Sequence, residues 1–146
     1  MKLQEEFHIS TDKSLLDLEL IHHFLQDAYW SKNIPIDIVE KSIENSVCFG
    51  VYNAAEQIGF ARVVTDFATF AYLGDVFILE PFQGLGLAKW LMKTIMAYPD
   101  LSGLRRWMLV TKDAQLFYEK FGFVQLKYPD YLMEISDPDI YSRENI

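Results

Sequence analysis

The chain has 146 residues, 51% of them hydrophobic and 15% aromatic, and a formal charge of −8 at pH 7. That length suits one domain, 1–146, with a sizeable core, and the apolar content excludes a disordered chain. The acidic balance argues against nucleic acid as a partner, the single cysteine (Cys48) against a disulfide scaffold or a multi-cysteine metal site, and the lack of an apolar run of about 18 residues against a membrane span.

In chain order, residues 5–9 are short enough for a first strand, and Ser10-Thr11-Asp12 is a helix N-cap cluster. Leu15, Leu18, Ile21 or His22, and Leu25 recur at helical spacing, which predicts an amphipathic helix over 13–28. Pro35 opens a second helix with Ile36, Val39 and Ile43 on one side. The runs 47–52 and 57–64 flank Asn53-Ala-Ala-Glu56 and predict a hairpin. The run 72–79 is apolar on both faces, as in a central strand.

A helix follows from Leu87, ending before Pro99. A short strand is predicted over 106–110 and a helix over 113–121, with Gly122 just past its end. Two last strands, 123–126 and 131–135, are expected to close the sheet. The order predicts an α/β fold (α+β in some schemes): a mixed, mainly antiparallel sheet with helices on both faces. The start, Met1 to Glu6, has no apolar core of a signal peptide, so a cytoplasmic location is expected.

Charge is unevenly spread. Residues 1–73 hold five basic and eleven acidic side chains, 74–127 seven and five, and 128–146 one and five. The middle segment is therefore slightly basic between two acidic ones, a pattern open to two readings that charge counting does not separate: a solvated acidic surface, or an anion handled in the middle segment and a cation attracted elsewhere.

The chemistry concentrates in Asp75-Val-Phe-Ile-Leu-Glu-Pro-Phe-Gln-Gly-Leu-Gly-Leu-Ala-Lys89. A buried strand enters a glycine-containing turn that opens a helix. Such a turn aims several backbone N–H groups at one point, at the positive end of the helix dipole, and so suits a phosphate. Neither the dinucleotide pattern, which would need Gly at Lys89, nor the P-loop pattern is present. Gln83-Gly84-Leu85-Gly86-Leu87-Ala88 instead fits [Q/R]-x-x-G-x-[G/A], and Asp113 to Phe123 contains a second motif of the form A-x-x-[FL]-Y-x-x-x-G-F.

In order and at this spacing, the two motifs resemble those of the GNAT family of N-acetyltransferases, over roughly residues 5–135. The resemblance implies an acyl-CoA N-acyltransferase-like fold, acetyl-CoA as co-substrate and an amine acceptor, with transfer by direct attack on the thioester. It implies that Gln83, Gly84, Leu85, Gly86, Leu87, Ala88 and Lys89 hold the pyrophosphate, and that Val76, Phe77 and Ile78 pair with the pantetheine arm where strands 72–79 and 106–110 splay apart. Asp113 and Tyr118, in the second motif, belong to the same set. Tyr118 becomes the acid for the leaving thiolate, and Asp75 or Asp66 a candidate base, with an ordered water as the third option. Strand alternation turns Asp75 away from the face of Gly74 and Val76 unless a bulge re-aims it.

Tyr29, Trp30, Phe70 and Tyr72 are the aromatics expected on the acceptor side, where an acidic surface would suit a cationic amine. His22, His23 and Cys48 read as structural residues. A homodimer, common in that family, is a further expected partner through the β-rich C-terminal segment. Two other readings stay open: a catalytically weak acetyl-CoA-binding sensor, and a transferase using longer acyl-CoA donors.

Overall fold

The computed structural model describes residues 2–143. Its centre is a five-stranded sheet in the order β1-β2-β3-β4-β5: Phe7–Ser10, Val47–Asn53, Glu56–Thr65, Phe70–Ile78 and Arg106–Leu109. The first three pairings are antiparallel and that of β4 with β5 is parallel. Five helices accompany it: α1 (Leu3–Glu6), α2 (Leu18–Asp27), α3 (Ile36–Glu44), α4 (Leu87–Met96) and α5 (Gln115–Glu119). The mixed sheet with helices on both faces is the fold class expected from the sequence.

Polar side chains punctuate the helices. Asp12 accepts from the Ser14 N–H and closes a single 3-10 turn over Lys13–Leu15. The expected helix over 13–28 divides there, because Asp17 supplies a second cap. Its carboxylate accepts from the Leu20 N–H while its own N–H donates to Gln57 Oε1 at 2.7 Å. That bond fixes the entry of α2 to the buried end of β3.

Two clusters form the core, one on each face. Leu87, Leu91, Met92 and Ile95 of α4 pack with Phe49, Val51, Val63, Ala71 and Leu73 of the sheet. Each of these side chains larger than Ala71 contributes on the order of 1.5–3 kcal/mol by leaving water. On the opposite face Ile21 and Leu25 of α2 and Val39 of α3 meet Cys48, Phe60 and Phe77.

β4 carries one extra residue. Phe60 pairs with Phe77 and Arg62 with Gly74, so Asp75 and Val76 together face Ala61, and Asp75 has a φ of +55°. This bulge reverses the alternation of the strand. Ala71 and Leu73 face α4 before it; after it Val76 and Ile78 do, while Phe77 joins the α2 side.

The strands expected over 123–126 and 131–135 are absent among the described residues, a correction to the sequence reading. After α5 the chain turns inward at Phe123, whose ring meets Trp107 and Tyr118 edge-on, rather than running along β5. Pro129 then begins a 3-10 turn that interrupts any further strand. The outer edge of β5 is left without a strand partner among the described residues.

Candidate active site

β4 and β5 pair only over Phe70–Leu73 and Arg106–Leu109. Beyond Leu73, β4 continues for five residues with β3 alone beside it, and the parting strands open a slot of about 300 Å³. Phe24, Val76, Phe77, Ile78, Gln83, Ala88, Phe117 and Tyr118 line it. On the slot side, the β4 backbone presents the polar groups that β3 does not use, as an unpaired edge does.

The glycine turn lies at one end of the slot. Gly84 and Gly86 sit at φ +81° and +89°, in the left-handed region that glycine occupies without cost. A Cβ at Gly84 would meet nothing within 4 Å. The Gln83 side chain donates to the Ile78 carbonyl at 2.8 Å and latches the turn to the end of β4. The first bond of α4 runs from the Trp90 N–H to the Gly86 carbonyl at 3.0 Å, so the N–H groups of Leu87, Ala88 and Lys89 precede the helical ladder. Leu87 sends its side chain into the core and offers the turn only its backbone, whereas Leu85 and Lys89 are exposed. A backbone cradle without a Cβ at positions 84 and 86, beside an apolar slot, fits a phosphate-bearing acyl carrier.

Tyr118 lies at the slot wall, largely buried, and burial followed by the nearby Tyr29 pushes its phenol above the ordinary value. It therefore keeps its proton at neutral pH. Asp113 is exposed in the turn before α5 and does not line the slot.

The bulge re-aims Asp75. Its Oδ2 accepts from Arg62 Nε at 2.8 Å and its Oδ1 from Trp30 Nε1 at 2.8 Å, while Arg62 also donates to Ser46 Oγ at 3.1 Å. Both ion-pair side chains are mostly buried. Asp66 is equally committed. It accepts from the N–H groups of Ala68, Thr69 and Phe70 and from Thr69 Oγ1, bonds that close the β3–β4 turn and hold its carboxyl well below the usual carboxylate range.

Aromatic rings lead away from the slot. Phe24 stacks on Phe77 at 3.9 Å, Trp30 tilts against Phe24, and Tyr29 meets Trp30 edge-on. The Lys112 ammonium lies 5.4 Å from the Tyr29 ring centre, and the Lys112 N–H donates to the Tyr29 hydroxyl. Tyr72 extends beside Gly74 on the α2 side, its phenol raised by burial and by Asp75. Phe70 is six residues from Val76, roughly 20 Å of strand rise, and is not brought to the slot.

Phe24, Phe117 and Arg62 escaped the sequence reading. Arg62 had a signal, since no other Lys or Arg lies between Lys41 and Lys89. Among the described residues no His, Cys, Asp or Glu cluster suits a metal ion, and no helix is long and apolar enough to cross a membrane.

Comparison with known proteins agrees with this geometry. The family model described as "Acetyltransferase (GNAT) domain" matches residues 44–125. A Gibberella zeae protein carrying an acetyltransferase name, FG08082, is 30% identical over 90% of this chain and 86% of its own length. The crystal structure of a GNAT-family protein from Xanthomonas campestris pv. campestris is 49% identical, with a TM-score of 0.92, over 94% of this chain and 97% of that one. A Clostridium acetobutylicum protein solved with acetyl-CoA shares the fold at a TM-score of 0.60 and 15% identity, over 89% of this chain and 94% of that one. With a family model spanning more than half of its length and a close structural relative in the same family, the chain belongs to the GNAT acetyltransferases.

Proposed function

We propose that the protein is an N-acetyltransferase that moves the acetyl group of acetyl-CoA to a primary amine by direct attack on the thioester. The slot between the parting halves of β4 and β5, with the glycine turn at one end and Tyr118 in its wall, is the observation that carries this reading. The N–H groups from Gly84 to Lys89 would hold the pyrophosphate. Val76, Phe77 and Ile78 would pair with the pantetheine arm as an added strand, and a β4 N–H at Val76 or Phe77 would polarise the thioester carbonyl.

Tyr118 suits donation of a hydrogen bond to the departing sulfur better than complete proton transfer. Its phenol is raised above its ordinary value of 10, while a thiol has a pKa of about 8.5. A developing thiolate next to a buried donor is stabilised without the proton having to leave the oxygen.

An alkylammonium must lose a proton before it attacks. Asp66 holds its turn together, and Asp75 spends an oxygen each on Arg62 and Trp30. We therefore read Asp75 as a positioning residue, with the amine proton passing to water. Lys112 already covers Tyr29, so recognition of the acceptor rests on the Trp30 side of the aromatic wall rather than on a carboxylate cage.

Calorimetric titration with acetyl-CoA, followed by thiol release across a panel of primary amines, tests the assignment. Binding plus acceptor-dependent release is the expected result. Binding with no turnover of any amine would favour the sensor reading, which the lack of a free carboxylate base also suggests. No binding of acetyl-CoA would overturn both.

A further inference from the structure

One contact joins the two walls of the slot. Trp30 belongs to the β4 wall: its indole is bonded to Asp75, and its ring leans on Phe24, which stacks on Phe77. Tyr29 meets Trp30 edge-on and stands on that wall as well. Lys112 belongs to the other wall, in the loop midway between the end of β5 at Leu109 and the start of α5 at Gln115. Its N–H donates to the Tyr29 hydroxyl at 3.3 Å, and its ammonium lies 5.4 Å from the centre of the same ring. Strand pairing has ended by then, at Leu73 and Leu109, so the contact spans the gap between the parted strands.

This bridge stands at the acyl end. Along β4 the glycine turn follows Ile78, whereas the bridge is anchored through Trp30 to Asp75, near the point of parting. A donor with its pyrophosphate at the turn has its thioester toward the bridge. Tyr118 marks the same place from the α5 side, since Tyr29 lies close enough to help raise its phenol. Lys112, Tyr29 and Tyr118 thus form one cluster, and Lys112 brings to it a primary amine, the group that the transfer consumes.

Nothing locks that amine in place. Lys112 is exposed, and among the described residues its ammonium makes no ion pair with a carboxylate. Its partner is a neutral ring, and a cation–π contact at an exposed site is weak, so the arm leaves the ring readily. The backbone bond to Tyr29 keeps the base of the arm at the slot meanwhile. A tethered nucleophile needs only a side-chain rotation where a free acceptor needs an encounter.

We propose that Lys112 is an acceptor built into the chain, its ε-amine taking the acetyl group of bound acetyl-CoA in cis. The ammonium first gives one proton to water. The neutral nitrogen adds to the thioester carbonyl, the C–N bond forms and the C–S bond breaks. A second proton passes from the nitrogen to the departing thiolate, which Tyr118 stabilises by its hydrogen bond. The products are acetylated Lys112, free coenzyme A and one proton. The inference rests on the acetyl-CoA reading above and adds a modification site to it. The mark removes a charge, so the Tyr29 ring loses its cation and opens to a cationic acceptor.

The test takes the full chain, deuterium-labelled acetyl-CoA and no added amine, with site-resolved mass spectrometry. Label should enter Lys112 at least about tenfold faster than the exposed Lys32, Lys41 and Lys120, at a rate per chain independent of protein concentration. Gly86→Glu, checked for folding by circular dichroism, should bring Lys112 down to the rate of those lysines. Mixed with wild type, the Gly86→Glu chain should stay at that rate while the wild-type chain is marked. Position is read without any transfer: coenzyme A, which carries no acetyl group, should shift the Lys112 ε-methylene signals in NMR spectra. Equal labelling of all exposed lysines, undiminished label in Gly86→Glu alone or in the mixture, or Lys112 signals indifferent to bound coenzyme A would each overturn the proposal. Turnover of a free amine with Lys112 unmarked would overturn this inference alone, whereas no binding of acetyl-CoA would overturn the parent reading with it.

Discussion

The two halves of β4 are made differently. From Phe70 to Leu73 the strand is bonded on both edges, with Ala71 and Leu73 buried in the α4 core and Phe70 and Tyr72 half-buried on the other side. From Gly74 to Ile78 it keeps β3 but loses β5, and an extra residue reverses its alternation. The first half is scaffold, held by pairing on both edges and by the packing of Ala71 and Leu73. The second holds its conformation by side-chain bonds through Asp75, which leaves one backbone edge for a ligand. Along one strand, then, lost pairing makes the site and a buried ion pair supplies the rigidity that pairing would have given.

The strongest challenge to the second half comes from its glycine turn. Gly86→Glu places a side chain at φ +89° and a negative charge where phosphate should lie. Acetyl-CoA affinity by calorimetry should fall by about 100-fold or more, a change near 2.7 kcal/mol. Next in size is Tyr118→Phe, expected to lower kcat by roughly 10- to 100-fold while KM for acetyl-CoA stays nearly constant. An unchanged kcat would remove Tyr118 from the chemistry.

A middle-sized effect separates the two roles of Asp75. Asp75→Asn keeps an acceptor for Trp30 and tolerates the left-handed backbone; as a positioning change it should cost about tenfold or less, with no shift in the acidic limb of the pH–rate profile. Loss of that limb would make Asp75 the base. Arg62→Met should act in the same direction and Arg62→Lys restore part of the rate, with acetyl-CoA affinity unaltered in both.

The scaffold should respond to alkali rather than to these substitutions. Burial raises the Cys48 thiol from 9.0 to about 11 and the Tyr52 phenol from 10.0 to about 12. Both groups bind their protons more tightly folded than unfolded. Their contribution is therefore complete below about pH 9 and is lost as pH climbs through 11 and 12. Denaturant midpoints should fall in that window, and Cys48→Ala should blunt the part nearest pH 9–11. The smallest effect is expected of Phe70→Leu, which should move kcat/KM by no more than about twofold, since the ring lies in the doubly bonded half.

The donor side of the site was legible because backbone makes it. Glycines 84 and 86, the strand before them and the helix after them are a local pattern, and local patterns survive in sequence. Helix ends followed for the same reason, apart from the break before Asp17, where two caps in close succession read as one helix. What escaped required knowledge of neighbours. The direction of Asp75 depends on how β3 counts against β4, a nonlocal register. Residues 123–135 carry the alternation of strands, yet a strand exists only where an edge receives it. Phe24 joins the slot because α2 crosses Phe77, which no spacing within either segment reveals.

The bulge also sets the chain's tolerance to change in length. Deleting Asp75 would return β4 to one-to-one pairing with β3, with Val76 alone opposite Ala61, so Val76, Phe77 and Ile78 would keep their faces. What such a deletion would remove is the carboxylate that holds Trp30 and Arg62. One residue inserted after Val76 without a second bulge would do the opposite, keeping that carboxylate while turning Phe77 and Ile78 to the other faces. The extra residue is thus a means of placing a carboxylate on the strand without disturbing the slot that follows it.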